Sequence, residues 1–290
     1  MTKSDIKDIA TDISLESKFV DALCCFMDEQ PAIISFFENR ETLLKGLLFK
    51  SLPLYRLLLK MRFASSLLPM MNLYLAVVLA AECKAEYENR GIPSDVYTDT
   101  MTDINTWTAH CFQKTGNTGL LQMGWIRNHL QLRLFKLGRL QFETGSLNKK
   151  NVEGYSRNTD CLHIHIPEGE KLSPEKCIES LNRARGFFRS YWNTDYPIGS
   201  CHSWLLHENI NLILDKESNI VQFSKLFRII ENDNNNKQAL ERVFGEGLKI
   251  SSDLPENTSL QRKMKVFLQK GNRIGMGFGI VEFEDMTFKG

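Results

Sequence analysis

The chain has 290 residues, of which 42% are hydrophobic and 24% are charged, a usage typical of globular proteins and sufficient for two domains. Its 36 Lys and Arg residues are balanced by 35 Asp and Glu residues, so the net charge is only +1. No strong overall field therefore draws the chain to nucleic acid or to an anionic membrane. We expect small molecules or proteins as partners, with no nucleic acid and no membrane.

The seven cysteines are odd in number and form no CxxC pair. This usage favours reduced thiols in the cytoplasm over a disulfide framework or a structural zinc site. The first twelve residues lack the apolar segment of a signal peptide. The most apolar run, Leu67 to Ala81, contains Pro69 and Asn72 and is shorter than the roughly 20 residues that a membrane span requires. We therefore expect a cytoplasmic protein in which this run is a buried helix.

The first part of the chain has helical spacing of its apolar residues almost throughout. One helix is predicted from Phe19, Leu23, Phe26 and Met27, and a second is predicted to begin at an N-cap Ser94. The second helix has an apolar stripe formed by Tyr97, Met101, Ile104, Trp107 and Cys111. The sequence predicts an all-helical N-terminal domain over residues 1–118, and a further helix from about Leu120 to Leu132.

Strand patterns begin after the helical part. Residues 134–144 alternate apolar and polar side chains and predict one strand, and residues 162–166 predict another. Ser173-Pro174 predicts the start of a long helix, because Ser is a favoured N-cap and Pro a favoured first helical residue. The stripe of that helix is Cys177, Leu181, Ala184, Phe188 and Tyr191.

The remaining residues continue this alternation of elements. They predict a strand over 200–206, a helix from about Ser218, a strand over 225–230, a helix with a Thr258–Gln261 capping box, and a Gly-rich strand over 275–284. This order predicts an α+β (mixed α/β) fold, with a mixed sheet layered by helices in a second domain over residues 119–290.

His163 and His165 form the first candidate site, because residues two apart in a strand share one face. Three interpretations are open. The imidazoles are structural, or they bind a metal with a third ligand from His202, His207, Glu168 or Glu170, or one of them is a general base. The ordinary pKa of His, about 6.5, suits proton removal near neutrality.

Cys201 and the helix start at Ser173 are two weaker candidates. Cys201 cannot pair with the adjacent His202 across one strand, so a thiolate there needs a base from a neighbouring strand, such as His165. A buried structural thiol is the alternative. The first turn of the Ser173 helix offers free N–H groups to an anion, whereas Glu168 and Glu170 in the preceding loop oppose one.

Several segments together resemble a bacterial family of acyltransferase-domain proteins. The resemblance is carried by LFKLGRLQFE, LHIHIPEGEKLSPEKCIESLNRARGFF, SCHSWLLHENINLIL, ESNIVQFSKLF and NTSLQRKM. Such proteins have a helical N-terminal domain and a C-terminal domain similar to the GNAT superfamily of CoA-dependent N-acyltransferases. The resemblance extends over residues 90–285.

This resemblance implies that the strand LHIHIP diverges from the strand SCHSWLL and that acyl-CoA lies in the gap. The pantetheine arm is expected along Ile164, Ile166 and Pro167, and the pyrophosphate near the loop that ends at Ser173. Asn219 is similar to an Asn that contacts CoA. Seven residues later many members carry a Tyr that protonates the leaving thiolate, and this chain has Leu226. The usual Gly-rich pyrophosphate motif is also missing.

The resemblance implies acetyl-CoA or another acyl-CoA as co-substrate, an amine-bearing acceptor and no metal. Transfer is then direct, with His165 or His163 as the base and Cys201 as a further catalytic candidate. The alternative function is a non-catalytic module that binds CoA or a partner on a degenerate GNAT-like fold. The sequence indicates neither the acceptor nor the oligomeric state.

Overall fold

The computed structural model describes residues 1–149, 152–250 and 253–283 and contains two compact units, Met1–Lys136 and Leu137–Gly290. The sequence predicted the boundary between residues 118 and 119. The structure places it later because helix α9, Met123–Leu130, packs against helix α6, Leu68–Asn89, and so belongs to the helical unit.

The first unit is helical, as expected. A short 3-10 turn, Ser65–Leu67, precedes α6. The other helices are α1 (Lys3–Asp12), α2 (Ser17–Glu29), α3 (Pro31–Glu38), α4 (Glu41–Lys50), α5 (Leu52–Arg62), α7 (Ser94–Met101) and α8 (Asp103–Thr115). The helix predicted from Ser94 is thus two helices that meet at Thr102, and Ser94 is the first helical residue after the cap position at Pro93.

Helix α6 is the centre of the helical unit. The helical segment Ser65–Asn89 is long and apolar enough to cross a membrane by length and composition, so the sequence argument from length was wrong. Burial supports the buried-helix interpretation: every residue from Met71 to Ala80 is buried. A helix that is apolar on all sides and enclosed by other helices is a core helix.

A polar network lies inside this helical core. The buried Tyr55 hydroxyl donates to Asn72 Oδ1 at 2.9 Å, and Asn72 Nδ2 donates to the Leu120 carbonyl at 2.9 Å. Burial raises the pKa of Tyr55 well above its ordinary value, so the phenol stays a donor. The network fixes α5 to α6 and α6 to the segment before α9.

A six-stranded sheet has the order β1-β2-β3-β4-β6-β5, and its strands β2 to β6 lie in the second unit. The strands are β1 (Leu134–Leu137), β2 (Leu140–Ser146), β3 (Asp160–His165), β4 (Ile198–Ser203), β5 (Arg228–Asn232) and β6 (Gly277–Glu282). Strands β3 and β4 are parallel, whereas the pairs β2–β3, β4–β6 and β5–β6 are antiparallel. The predicted α+β class with a mixed sheet is confirmed.

The helices of this unit follow the strands closely. They are α10 (Pro174–Trp192), α11 (Ile210–Ile213), α12 (Asn219–Ser224), α13 (Lys237–Phe244) and α14 (Ser259–Gln269). Ser173 caps α10 with its hydroxyl, and Pro174 is the first helical residue, as predicted. The predicted capping box of α14 is also present, with Thr258 and Gln261 bonded reciprocally.

The observed strands differ in their bounds from the predicted ones, and three of the differences change the fold locally. Residues 134–144 form a hairpin rather than one strand, because Gly138 has φ +79° and turns the chain between β1 and β2. The strand predicted over 200–206 ends at Ser203, after which Trp204–Leu206 is a 3-10 turn. The last strand ends at Glu282, and Glu284 lies outside the described residues.

Between β5 and β6 the chain inserts α13 and α14, which form an apolar cluster with the turn after β4. The buried members of this cluster are Trp204, Ile210, Ile213, Ala239, Leu240, Val243, Phe244, Leu254, Met264, Leu268 and Ile274. The insertion therefore has a core of its own, adjoining the C-terminal end of β4.

The Tyr55–Asn72 bond gives a stability prediction. Replacing Tyr55 by Phe leaves the buried Asn72 Oδ1 without its donor, so the free energy of unfolding is expected to fall by about 1–3 kcal/mol in urea denaturation. Tyr191→Phe, at a half-buried tyrosine on α10, is the matched control. Equal effects of the two substitutions would contradict a stabilising role for the buried bond.

Candidate active site

The two central strands separate after a short common ladder. Strands β3 and β4 pair through only three residues each, Cys161 with Ile198, Leu162 with Gly199 and His163 with Ser200. Both strands continue, β3 to His165 and β4 to Ser203, without further pairing to each other. An opening thus begins at the carboxyl ends of two parallel strands, which is where open sheets bind ligands.

Each strand is held by its outer neighbour along its whole length. All six residues of β3 pair with β2, and all six residues of β4 pair with β6. Because twisted sheets rotate successive strands, two well-paired halves diverge where their shared ladder ends. The opening is therefore a feature of the backbone, and side-chain placement is not needed to create it.

One face of the sheet next to the opening is polar. His163 and His165 share this face with Glu143 and Gly145 of β2 and with Ser200 of β4, since these residues are cross-strand partners or alternate with them. Leu162 and Ile164 point to the other face. The alternation predicted for the His pair is therefore observed.

His163 is half-buried and is contacted on two sides. Its Nδ1 lies 2.8 Å from Ser200 Oγ and 3.8 Å from Cys161 Sγ. On the other side the ring lies over Gly145, where a Cβ atom would come within 2.4 Å of His163 Nε2. Gly145 thus makes room for the imidazole, and Ser200 fixes its orientation.

His165 is a partly exposed imidazole that pairs with a carboxylate. Its Nε2 lies 3.0 Å from Glu143 Oε2, and its side chain is 32% exposed against 17% for Glu143. A carboxylate that accepts the Nε2 proton selects the tautomer whose lone pair is on Nδ1. The pair therefore has the arrangement of a base with its orienting carboxylate.

Cys201 lies apart from the imidazoles. It alternates with Ser200 and so points to the opposite face, where its partner Gly279 packs against Phe227. It is buried, and burial raises the pKa of its thiol to about 12. Because it remains a protonated thiol on the wrong face, the geometry argues against the catalytic role considered for Cys201 and favours the structural alternative.

The loop between β3 and α10 is anchored by a residue that the sequence analysis missed. The buried Arg139 donates from Nη1 to the Pro167 carbonyl at 2.9 Å and from Nε to the Lys171 carbonyl at 3.3 Å. Its burial lowers the pKa of the guanidinium somewhat, but an arginine stays charged. Arg139 therefore ties the loop together at Pro167 and Lys171 and places a buried positive charge next to it.

The acidic residues of this loop are paired with cations. Glu168 pairs with Arg242 of α13, and Glu170 pairs with Lys176 of α10 at 2.8 Å. Ser173 caps the following helix, accepting from Lys176 N at 3.4 Å. The repulsion expected between this loop and a pyrophosphate is thus reduced, because each carboxylate already has a cation.

The remaining predicted binding residues fall on two elements. Ile164 is buried at the end of β3, and Ile166 and Pro167 are half-buried just after it. Asn219 is the first residue of α12, which is capped by Ser218 and packs against α10. The half-buried Leu226 lies in the turn after α12. The first three residues border the opening, whereas Asn219 belongs to a neighbouring helix.

The metal interpretation of the His pair receives no support. Within residues 1–149, 152–250 and 253–283, no group of three or more His, Cys, Asp or Glu side chains is placed to hold a metal ion. His207, one proposed third ligand, is instead bonded through Nε2 to the Asp233 carbonyl at 3.0 Å.

Glu143, Gly145, Ser200 and Arg139 were not found from the sequence. The strand alternation places Glu143 on a definite face, but the partner strand and its register were needed to set it against His165. Arg139 was assigned to the middle of a strand because the turn at Gly138 was not recognised.

Two family models match this chain, one for each part of the fold. A GNAT-like C-terminal domain matches residues 134–281, and an N-acyltransferase N-terminal domain matches residues 38–132. The chain therefore belongs to the family of N-acyltransferases with a GNAT-like C-terminal domain. The resemblance found in the sequence is confirmed, as is the expectation of an acyltransferase.

Solved structures have the same architecture. An acyltransferase in complex with decanoyl-CoA and teicoplanin is 24% identical with a TM-score of 0.77, covering 96% of this chain and 87% of that chain. An acyltransferase mutant in complex with octanoyl-CoA is 23% identical with a TM-score of 0.77, covering 96% of this chain and 88% of that chain. These identities show a shared fold. No curated protein sequence matches the chain significantly.

The burial of Cys201 gives a labelling prediction. Below its ordinary pKa of 9.0 the thiol is protonated in both folded and unfolded chains. As the pH rises from 9.0 toward 12, the Cys201 thiol ionises only in the unfolded chain, so the folded chain loses stability relative to the unfolded chain.

At neutral pH iodoacetamide is expected to modify the exposed Cys25 and to reach Cys201 only after denaturation. Rapid labelling of Cys201 in the native protein would contradict its placement.

Proposed function

We propose that the protein transfers an acyl group from acyl-CoA to an amine-bearing acceptor. The observation that carries the proposal is the separation of β3 from β4 after three residue pairs. A strand edge that no longer pairs offers backbone groups to an extended amide-containing arm, and the arm of CoA has this character. Ile164 to Pro167 are the residues that this arm would follow.

The polar face supplies the groups for the reaction. We assign His165 as the base, because Glu143 orients it and because its side chain is 32% exposed. His163 is instead bonded to Ser200 and lies over Gly145. The acceptor amine attacks the thioester carbonyl, its proton passes to His165, and the C–S bond breaks to release CoA thiolate. A base so placed accelerates the reaction by about 10²- to 10⁴-fold.

The leaving thiolate requires a proton. Leu226 has no hydroxyl to give one, so we assign the return of the proton to the His165 imidazolium that the first step creates. The amide and CoA thiol are then formed with no proton gained or lost overall. His163, held by Ser200, is a positioning group for this face in the proposal.

The acyl donor is proposed to be a medium-chain or a short-chain acyl-CoA. Similar structures were solved with decanoyl-CoA and with octanoyl-CoA, and one also contains teicoplanin. Acetyl-CoA, octanoyl-CoA and decanoyl-CoA are therefore the donors to compare.

The proposed location is the cytoplasm, where acyl-CoA is available. All seven cysteines are free thiols, which is consistent with that location.

The assignment of the base predicts graded losses of activity. His165→Ala is expected to lower the rate of CoA thiol release by about 10²- to 10⁴-fold. Glu143→Gln keeps an acceptor oxygen but loses the charge, so a smaller loss is expected. His110→Ala, at a half-buried histidine of the helical unit, is the control and is expected to retain full activity.

Binding is measured separately from turnover. At 100 times its Kd, acyl-CoA adds about 2.7 kcal/mol of stability, which a thermal shift detects. A thermal shift in all variants supports the proposed base if turnover falls most in His165→Ala, less in Glu143→Gln and not at all in His110→Ala. A shift without turnover in the wild-type protein, tested with a panel of amines, would favour the non-catalytic module. No shift with any acyl-CoA would exclude both the acyltransferase and a module that binds CoA.

A further inference from the structure

The region around helix α5 has an unusual charge distribution. From Thr42 to Ala81 the sequence contains five cations and no acidic residue. Since the whole chain has a net charge of +1, the other 250 residues have a net charge of −4. The net charge of the whole chain is near zero, and for this reason no membrane contact was expected. The segment from Thr42 to Ala81 nevertheless has a net charge of +5.

Four of the five cations are exposed and belong to α5 or precede it directly. Lys45 is paired with Glu82, whereas the other four take part in no ion pair among the described residues. These are Lys50, Arg56, Lys60 and Arg62. Their charges are available to an external partner.

Helix α5 also exposes apolar side chains. Leu54, Leu57 and Met61 are 54%, 53% and 79% exposed, and their spacing of three and four residues places them on one face. Lys60 and Arg62 lie about a quarter-turn to either side of this apolar stripe. Three large apolar side chains bordered by cations form the surface of an interfacial helix.

The opposite face of α5 is fixed in the helical unit. Tyr55 and Leu59 are fully buried, and Tyr55 is bonded to Asn72 of α6. The helix is therefore formed before it meets a partner, so binding does not have to order it. The stripe of Leu54, Leu57 and Met61 faces outward as a result of this anchoring.

We propose that α5 docks the protein on an anionic lipid bilayer, with Leu54, Leu57 and Met61 in the headgroup–acyl boundary and Lys50, Lys60 and Arg62 on acidic headgroups. Nucleic acid or an acidic peptide would satisfy the cations but leave the apolar stripe in water. In a symmetric dimer of two such stripes, the cations of one copy face those of the other and repel them. The surface of an anionic bilayer can bury the apolar side chains and bind the cations at the same time.

Vesicle flotation with the full chain tests the proposal. The wild-type protein is expected to float with vesicles that contain phosphatidylserine and phosphatidylcholine and to bind vesicles of phosphatidylcholine alone far more weakly. Leu57→Gln with Met61→Gln, and separately Lys60→Gln with Arg62→Gln, are each expected to lower the partition coefficient at least about tenfold. High salt weakens the interaction of the wild-type protein.

Leu212→Gln is the matched control, because Leu212 is 73% exposed on α11 in the other unit. All variants replace exposed side chains, so equal melting temperatures verify their folding. Failure of the wild-type protein to float, or equal flotation of the α5 variants and the control, would overturn the proposal. So would light scattering that shows a wild-type dimer, if Leu57→Gln with Met61→Gln dissociates it. None of these outcomes depends on acyl transfer.

Discussion

The candidate site depends on the ladder between β3 and β4, which ends after three residue pairs. Each strand has a complete antiparallel ladder with its outer neighbour, β2 or β6, and the two halves of the sheet share only a short parallel seam. Parallel pairing is slightly the weaker of the two types. Separating the sheet at this seam therefore costs the least free energy of strand pairing. The opening lies at the carboxyl ends of both strands.

The polar groups next to the opening are arranged from both halves of the sheet. Strand β2 supplies Glu143 and Gly145, β3 supplies the two imidazoles, and β4 supplies Ser200. Arg139, in the turn between β1 and β2, anchors the loop that leads into α10. The loop is thus fixed by a buried cation bonded to carbonyl groups.

The sequence predicted the individual helices and strands better than the contacts between them. Caps at Ser173 and Thr258 and the alternation of the His pair depend on residues close in sequence, so they could be read directly. The hairpin at Gly138 was missed because alternation alone does not distinguish one long strand from two short ones. A turn of two residues leaves little trace in the pattern.

The partners of the imidazoles required strand order and register, which depend on contacts between residues distant in the chain. Glu143 and His165 are 22 residues apart, and Ser200 and His163 are 37 apart. The exposed stripe on α5 was missed for another reason. Its apolar residues have the spacing of a core face, and only burial shows that Leu54, Leu57 and Met61 lie outside.

Hydrogen exchange measured by mass spectrometry, with and without octanoyl-CoA, shows whether an acyl donor binds between the parted strands. If the donor lies between the parted strands, the amides of Ile164 and Ile166 exchange more slowly when it is bound, while those in the three-residue seam change little. Protection confined to other segments, with exchange at Ile164 and Ile166 unaltered by saturating donor, would contradict this account.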